Sequence, residues 1–338
     1  MHIRARPILP KDVRKCVEIV AAHQVLGPRY AETLKDLPEA MLSLMGRDAF
    51  TAVVFEEANG TSVRNLGAAV ATFVTQDFLR EVKTPPFFWA TPELLRRMKR
   101  GESPVLSDKQ VREANSTGGL RLHVWHTGVS LEDNNRAEVQ SALVGEFVRQ
   151  YRGYRIMELI QQAESLENFH GMRMAGGMRV SPKDGHYEDY WEIGPVDVIK
   201  GPQLVGLTAE MAHRMKASWI STLFNYEPPR FVFTRGEQRL LTCALDGGTD
   251  EEISNQLGIS LSAVKKTWRK VYQRVESNGT AFVPTNAKRA EREGRRGKEK
   301  KNHLLAYLRE HPEELRPFSS RMLKRLDGSQ SSEIRKLP

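Results

Sequence analysis

Between Thr249 and Arg274 the chain sets hydroxyl, ammonium, guanidinium and amide side chains at intervals that suit contact with a polyanion. Ser262, Lys265, Lys266, Arg269, Lys270, Gln273 and Arg274 recur at helical spacing, so they share one side of a helix. Long cations there can reach phosphates, while amide and guanidinium groups can read base edges. Thr249 and Ser260 stand where helices begin and complete the expected DNA-binding set. Other groups with chemical potential are sparse. His123 and His126 are expected on one face of a strand, but no third metal ligand is apparent, so no metal site is expected. His170 is expected on a loop, and a lone loop histidine is more often structural than a general acid. Cys16 and Cys243 are far apart, which excludes a disulfide framework and zinc-finger spacing and suits a reducing compartment.

The basic face needs a scaffold, and the neighbouring residues specify one. Thr234–Glu237 and Thr249–Glu252 each place threonine three residues before glutamate, the signature of a capping box. The first predicted helix buries Leu240, Leu241, Ala244 and Leu245 and stops at Gly247–Gly248. The second buries Ile253 and Leu257. Gly258 then permits a sharp turn, Ile259 is expected to plug the core, and Ser260 caps a third helix. Val264, Trp268, Val271 and Val275 form one apolar stripe on that helix, opposite the cations. Two helices joined by so short a turn predict a helix-turn-helix, whose second helix enters the major groove.

The stretch Phe233–Val275 resembles the LuxR/GerE-type helix-turn-helix domain without a gap. The matching positions are Thr234, Glu237, Leu241, Gly247, Glu252, Ile253, Leu257, Gly258, Ile259, Ser260, Val264 and Lys265. The resemblance implies a four-helix DNA-binding domain of a bacterial transcription regulator, acting on duplex DNA as a homodimer and able to meet RNA polymerase. Ala263 and Thr267 depart from the family on the reading helix, so base preference does not carry over.

Charge agrees with this division. Arg230 to Pro338 holds 23 Lys+Arg against 14 Asp+Glu, whereas the rest holds 28 of each, so the net +9 lies wholly in the C-terminal third. A basic module joined to a neutral one fits a polyanion binder attached to something else. No run of about 18 apolar residues is present, so no membrane span is expected, and the location is expected to be cytoplasmic. The predicted organisation is an α/β domain over 1–200, a connecting helix within 201–229, the helix-turn-helix over 230–278, and a basic C-terminal extension over 279–338.

Within 1–200 the patterns read strand, helix, hairpin, strand, long helix, strand, helix, strand. Thr51–Phe55 and Leu66–Val74 flank an Asn–Gly turn, Leu120–Thr127 is a strand, and Val139, Leu143 and Phe147 stripe the long helix. This order resembles the GNAT acyltransferase fold, an antiparallel-rich sheet with helices. IRARPILPKDVRKCVEIV is similar to its opening strand and helix, and RIMELIQQAESLENFHGMRMAGGMRV to its closing strand–helix–strand. In that family a glycine-rich loop before the long helix cradles a diphosphate of coenzyme A through free backbone N–H groups. Here the matching segment, Ser130–Val139, has no glycine, and Glu132 and Asp133 are expected to repel the ligand. The usual tyrosine acid is replaced by Phe169–His170–Gly171. The expectation is therefore a non-enzymatic sensing or assembly domain with no catalytic residue and no cofactor, its effector unspecified. The alternative is an acyl-CoA-dependent N-acyltransferase tethered to DNA.

Overall fold

β-Branched and apolar runs close into a single seven-stranded sheet in the first part of the chain. The computed structural model describes residues 2–21, 31–59, 62–129, 133, 136–163, 165–188, 196–197, 201–215, 218–278 and 296–319. The chain divides into two units, Met1–Tyr151 with Arg155–Asn225, and Arg152–Tyr154 with Tyr226–Pro338.

In the first unit the order is β1 (His2–Pro7), α1 (Val13–Ala21), α2 (Leu37–Leu44), β2 (Phe50–Asn59), β3 (Ser62–Phe73), α3 (Gln76–Val82), α4 (Ala90–Lys99) and α5 (Asp108–Ser116). There follow β4 (Leu120–Val129), α6 (Ala137–Tyr151), β5 (Ile156–Ala163), α7 (Leu166–Met174), β6 (Met178–Arg179), β7 (Gln203–Thr208) and α8 (Ala209–Arg214). The sheet order is β1-β2-β3-β4-β5-β7-β6. Neighbours are antiparallel except β4 and β5, which run parallel because α6 crosses between them. Val53, Phe55 and Leu66 pack under Val139 and Leu143 of α6, burying the expected helix stripe. The strand–helix order expected of a GNAT-like α/β layout is present, with α3–α5 inserted between β3 and β4.

The expected connecting segment, 201–229, is different. Gln203–Thr208 is a strand wedged between β5 and β6, and its middle residues are buried. The helix expected over Ala209–Leu223 is only Ala209–Arg214, capped by Thr208, followed by a 3-10 turn at Trp219–Phe224. A short strand covered on both faces shows no alternation, so periodicity could not reveal it.

The second unit contains α9 (Arg235–Leu245), α10 (Asp250–Leu257), α11 (Leu261–Asn278), α12 (Arg296–Glu310) and a 3-10 turn at Pro312–Leu315. Both expected capping boxes form. Thr234 Oγ1 accepts from Glu237 N, Thr249 Oγ1 accepts from Glu252 N, and each glutamate accepts from its threonine N at 2.7 Å. Such a cap is worth about 1 kcal/mol. Gly258 adopts φ +65°, the left-handed conformation that lets α10 end and α11 begin within three residues. Ile259 is not a core plug; it is 38% exposed. The region expected as a basic extension is partly core, because Leu304, Leu305 and Leu308 of α12 join Leu240, Leu241, Ile253, Val264, Trp268, Val271 and Val275 in one cluster. The polar segment 279–295 and Glu132 lie outside the described residues. Among the described residues no helix is long and apolar enough to cross a membrane.

Candidate active site and candidate nucleic-acid interface

In the first unit β4 and β5 pair in register from Leu120–Ile156 to Val124–Gln161. Both strands continue beyond that point, β4 to Val129 and β5 to Ala163, and there β4 pairs with β3 while β5 pairs with β7. The two strands therefore part, leaving a wedge at their C-terminal ends. At the same level β4 carries a bulge: Val70 faces His126 and Ala71 faces Val124, so Trp125 is the extra residue.

The bulge decides where the histidines point. Residues 123 and 126 of a regular strand face opposite sides. Here His123 opposes Thr72 and His126 opposes Val70, and Thr72 and Val70 share a face, so both imidazoles lie on it. His126 is buried and borders a recess with Cys16, Met41, Thr91, Leu95 and Trp125. Its ring packs on Gly128, where a Cβ would come within 2.8 Å of it. His123 Nε2 lies 3.3 Å from Thr91 Oγ1, and burial pushes its pKa down to about 4, keeping the ring neutral at neutral pH. Trp125 Nε1 donates to Thr72 Oγ1 at 2.8 Å. Burial pushes the Cys16 thiol up to about 12, so it offers no thiolate nucleophile.

Further down the same face, Glu158 Oε1 accepts from Lys83 Nζ at 2.6 Å and from the Tyr187 hydroxyl at 2.7 Å. Burial, aided by that carboxylate, holds the Tyr187 phenol well above its ordinary pKa. Gln162 Oε1 accepts from Ala90 N, and its Nε2 donates to Phe88 O, both at 2.7 Å. The α3–α5 insert is thus fastened along β4 and β5 through Lys83, Phe88, Ala90 and Thr91. These partners are far apart in the chain, and no local pattern announces them. His170 is not on a loop; it is exposed on α7.

At the start of α6 the structure changes the meaning of the acidic segment. Asp133 is buried and held by Arg64 in two bonds of 2.8 Å and by Arg136 at 2.9 Å. Arg64 and Arg136 also bind Glu57, at 2.9 and 2.6 Å. Arg136 also binds Glu138 at 2.9 Å, so two guanidinium groups serve three carboxylates, and Asp133 is held between cations rather than presented as the bare negative charge expected of it. The arginines hold the Glu57 carboxyl below its usual pKa.

In the second unit Ser262, Lys265, Lys266, Arg269, Lys270 and Gln273 are exposed on α11. Among the described residues none of those four cations forms an ion pair. The remaining three expected contacts are already engaged. Arg274 is half-buried and donates to Glu237 at 3.1 and 3.4 Å. Thr249 spends its hydroxyl on its cap, donating to Glu252 at 2.9 Å. Ser260 Oγ accepts from Ala263 N at 3.2 Å and lies 2.9 Å from Ser262 Oγ. On the reverse of α11, Trp268 Nε1 donates to Asp250 at 3.2 Å, and Lys301 Nζ sits 4.9 Å from its ring centre.

No protein-family model matches the chain, and no curated protein matches it in sequence. The LuxR/GerE-type resemblance therefore gains no support from either comparison. Among solved structures the chain is similar to the C-terminal condensation domain of Ebony in complex with beta-alanyl-dopamine. That match has 12% identity and a TM-score of 0.36, and covers 62% of this chain and 99% of that one. It is also similar to aminoglycoside acetyltransferase AAC(6')-Ib in complex with coenzyme A and kanamycin. There the identity is 14% and the TM-score 0.30, covering 64% of this chain and all of that one. At such scores the likeness carries no argument by itself, and the fold reading rests on the strand order. The expectation of a non-enzyme is corrected on the contacts at the start of α6: it rested on Asp133 as a bare repulsive charge, and Asp133 is buried against Arg64 and Arg136.

Proposed function

We propose that the chain is an acyltransferase that moves an acyl group from a thioester to an amine, carried to duplex DNA by its helical unit. The observation that supports catalysis most is the parting of β4 from β5 beside the Trp125 bulge. A strand edge without a partner can accept an extended, amide-bearing thioester arm as an added strand. The arm would lead the thioester carbonyl toward the bulge, with its phosphates toward the start of α6.

In this reading the amine nitrogen attacks the thioester carbonyl carbon, and charge moves to the oxygen. Backbone amides at the Trp125 bulge would donate to that oxyanion. His126 takes the proton from the amine, the intermediate collapses, and the proton passes to the departing thiolate. His123, neutral and tied to Thr91, holds α4 against β4 rather than acting as the base.

The DNA-binding half rests on the exposed face of α11. Lys265, Lys266, Arg269 and Lys270 supply phosphate contacts, with Ser262 and Gln273 beside them, and two copies in a homodimer would read paired half-sites. The test of the catalytic half is release of free thiol from acyl-CoA donors over a panel of primary amines. His126→Ala should lower kcat/KM by about 10²–10⁴-fold, the usual scale for a lost general base. No thiol release above background, or equal release by His126→Ala, would refute the assignment.

A further inference from the structure

Three donors from two distant segments of the second unit converge at its surface. One ligand atom each from Glu227, His311 and Glu313 lies within 4.8 Å of the other two. His311 Nδ1 is 2.8 Å from Glu313 Oε1, and the imidazole stacks on Tyr307 with ring centres 4.1 Å apart and planes 24° apart. The stacking fixes the ring against one side of α12's last turn. Proline limits the backbone around all three donors: Pro228–Pro229 follow Glu227, and Pro312 separates His311 from Glu313. Glu227 is exposed, while the Glu313 side chain is only 11% exposed.

We propose that Glu227, His311 and Glu313 bind a divalent transition ion of the zinc class, with water as a fourth ligand. The donor set selects the metal: one imidazole with two carboxylates suits zinc, cobalt or nickel, whereas magnesium and calcium prefer oxygen alone. Three protein ligands and an open position make a known tetrahedral arrangement. The geometry is within reach. Bonds of about 2.0–2.1 Å place tetrahedral ligand atoms about 3.3 Å apart. The His311–Glu313 pair must therefore open slightly and Glu227 must move inward, both by side-chain rotation. The ion would tie the segment entering Phe231 to the end of α12, beside the place where Glu314 already accepts from Phe231 N at 3.0 Å.

The experiment uses the full chain without an affinity tag. Calorimetric titration with zinc should give one site of micromolar Kd, and cobalt in its place should give the intense visible absorption of a four-coordinate ion. His311→Ala should abolish both signals. Glu227→Gln, at an exposed position that does not threaten folding, should weaken zinc binding at least tenfold. Zinc at about 100 times Kd should lower the apparent unfolding constant of this unit about 100-fold. Absence of one-site binding in the unaltered chain, or binding unchanged by Glu227→Gln, would overturn the proposal.

Discussion

Leu304 and Leu308 sit one turn apart on α12, 2% and 1% exposed, in one cluster with Leu240 and Leu241 of α9 and Trp268, Val271 and Val275 of α11. If α12 completes this core, truncating either leucine leaves a cavity. Leu→Ala at such a site costs about 2–5 kcal/mol, the removed methyl groups and the cavity both contributing. A unit of this size shifts its melting temperature by about 4–8 °C per kcal/mol, so Leu308→Ala should lower the second unit's transition by at least about 8 °C. Differential scanning calorimetry of the full chain is the suitable assay, because it can resolve the second unit from the first. Lys300→Ala on the same helix is the control. Lys300 pairs with Glu276, both half-exposed, and such pairs contribute about 0–1 kcal/mol. A Leu308→Ala transition within about 2 °C of the unaltered chain would mean that α12 does not close the core, and residues 296–310 would return to being an appended basic segment.

Glu314 is fully buried, and burial raises its pKa, so the folded state holds its proton more tightly than the unfolded state does. Its contribution is then favourable at acid pH and is lost as pH rises from the ordinary 4.5 through the raised value. Glu314→Gln should flatten that part of the second unit's pH–stability profile in urea melts, and an unchanged profile would contradict the sign. In the first unit Arg6 lowers the pKa of Asp12, so the opposite slope applies. Asp12→Asn should remove stability that is present at neutral pH and lost as pH falls through the lowered value, as followed by the same melts. If Lys265 and Lys266 contact phosphates, neutralising both should reduce the slope of log K against log salt by about 1.8 in fluorescence titrations of duplex DNA. Arg274→Ala should leave that slope unchanged and instead destabilise the second unit, because its partner Glu237 is 4% exposed and would lose its ion pair.

What the sequence by itself determined was carried by interactions spanning a turn or two. The threonine–glutamate caps at 234–237 and 249–252, the glycine at 258 and the apolar stripe of α11 are all settled within a few residues, so spacing alone revealed them. The cationic face of α11 follows from the same periodicity, because whatever lies opposite a buried stripe must meet solvent. The hairpin β2–β3 and the stripe of α6 were legible for the same reason. Only the tertiary structure decided the rest. The β4 bulge, set by register against β3, turns His126 to the side of His123. Strand β7 enters the sheet between β5 and β6 because two neighbours offer it hydrogen bonds, not because its own residues alternate. Glu237 draws Arg274 off the outer face across 37 residues, and Arg64 and Arg136 neutralise an aspartate that reads as repulsive in the linear chain. Leu304 and Leu308 join the core formed by α9, α10 and α11 across a segment whose composition suggests only solvent. In each case the deciding contact lies beyond the range over which helical or strand periodicity operates, so only the folded arrangement could assign the side chain its partner.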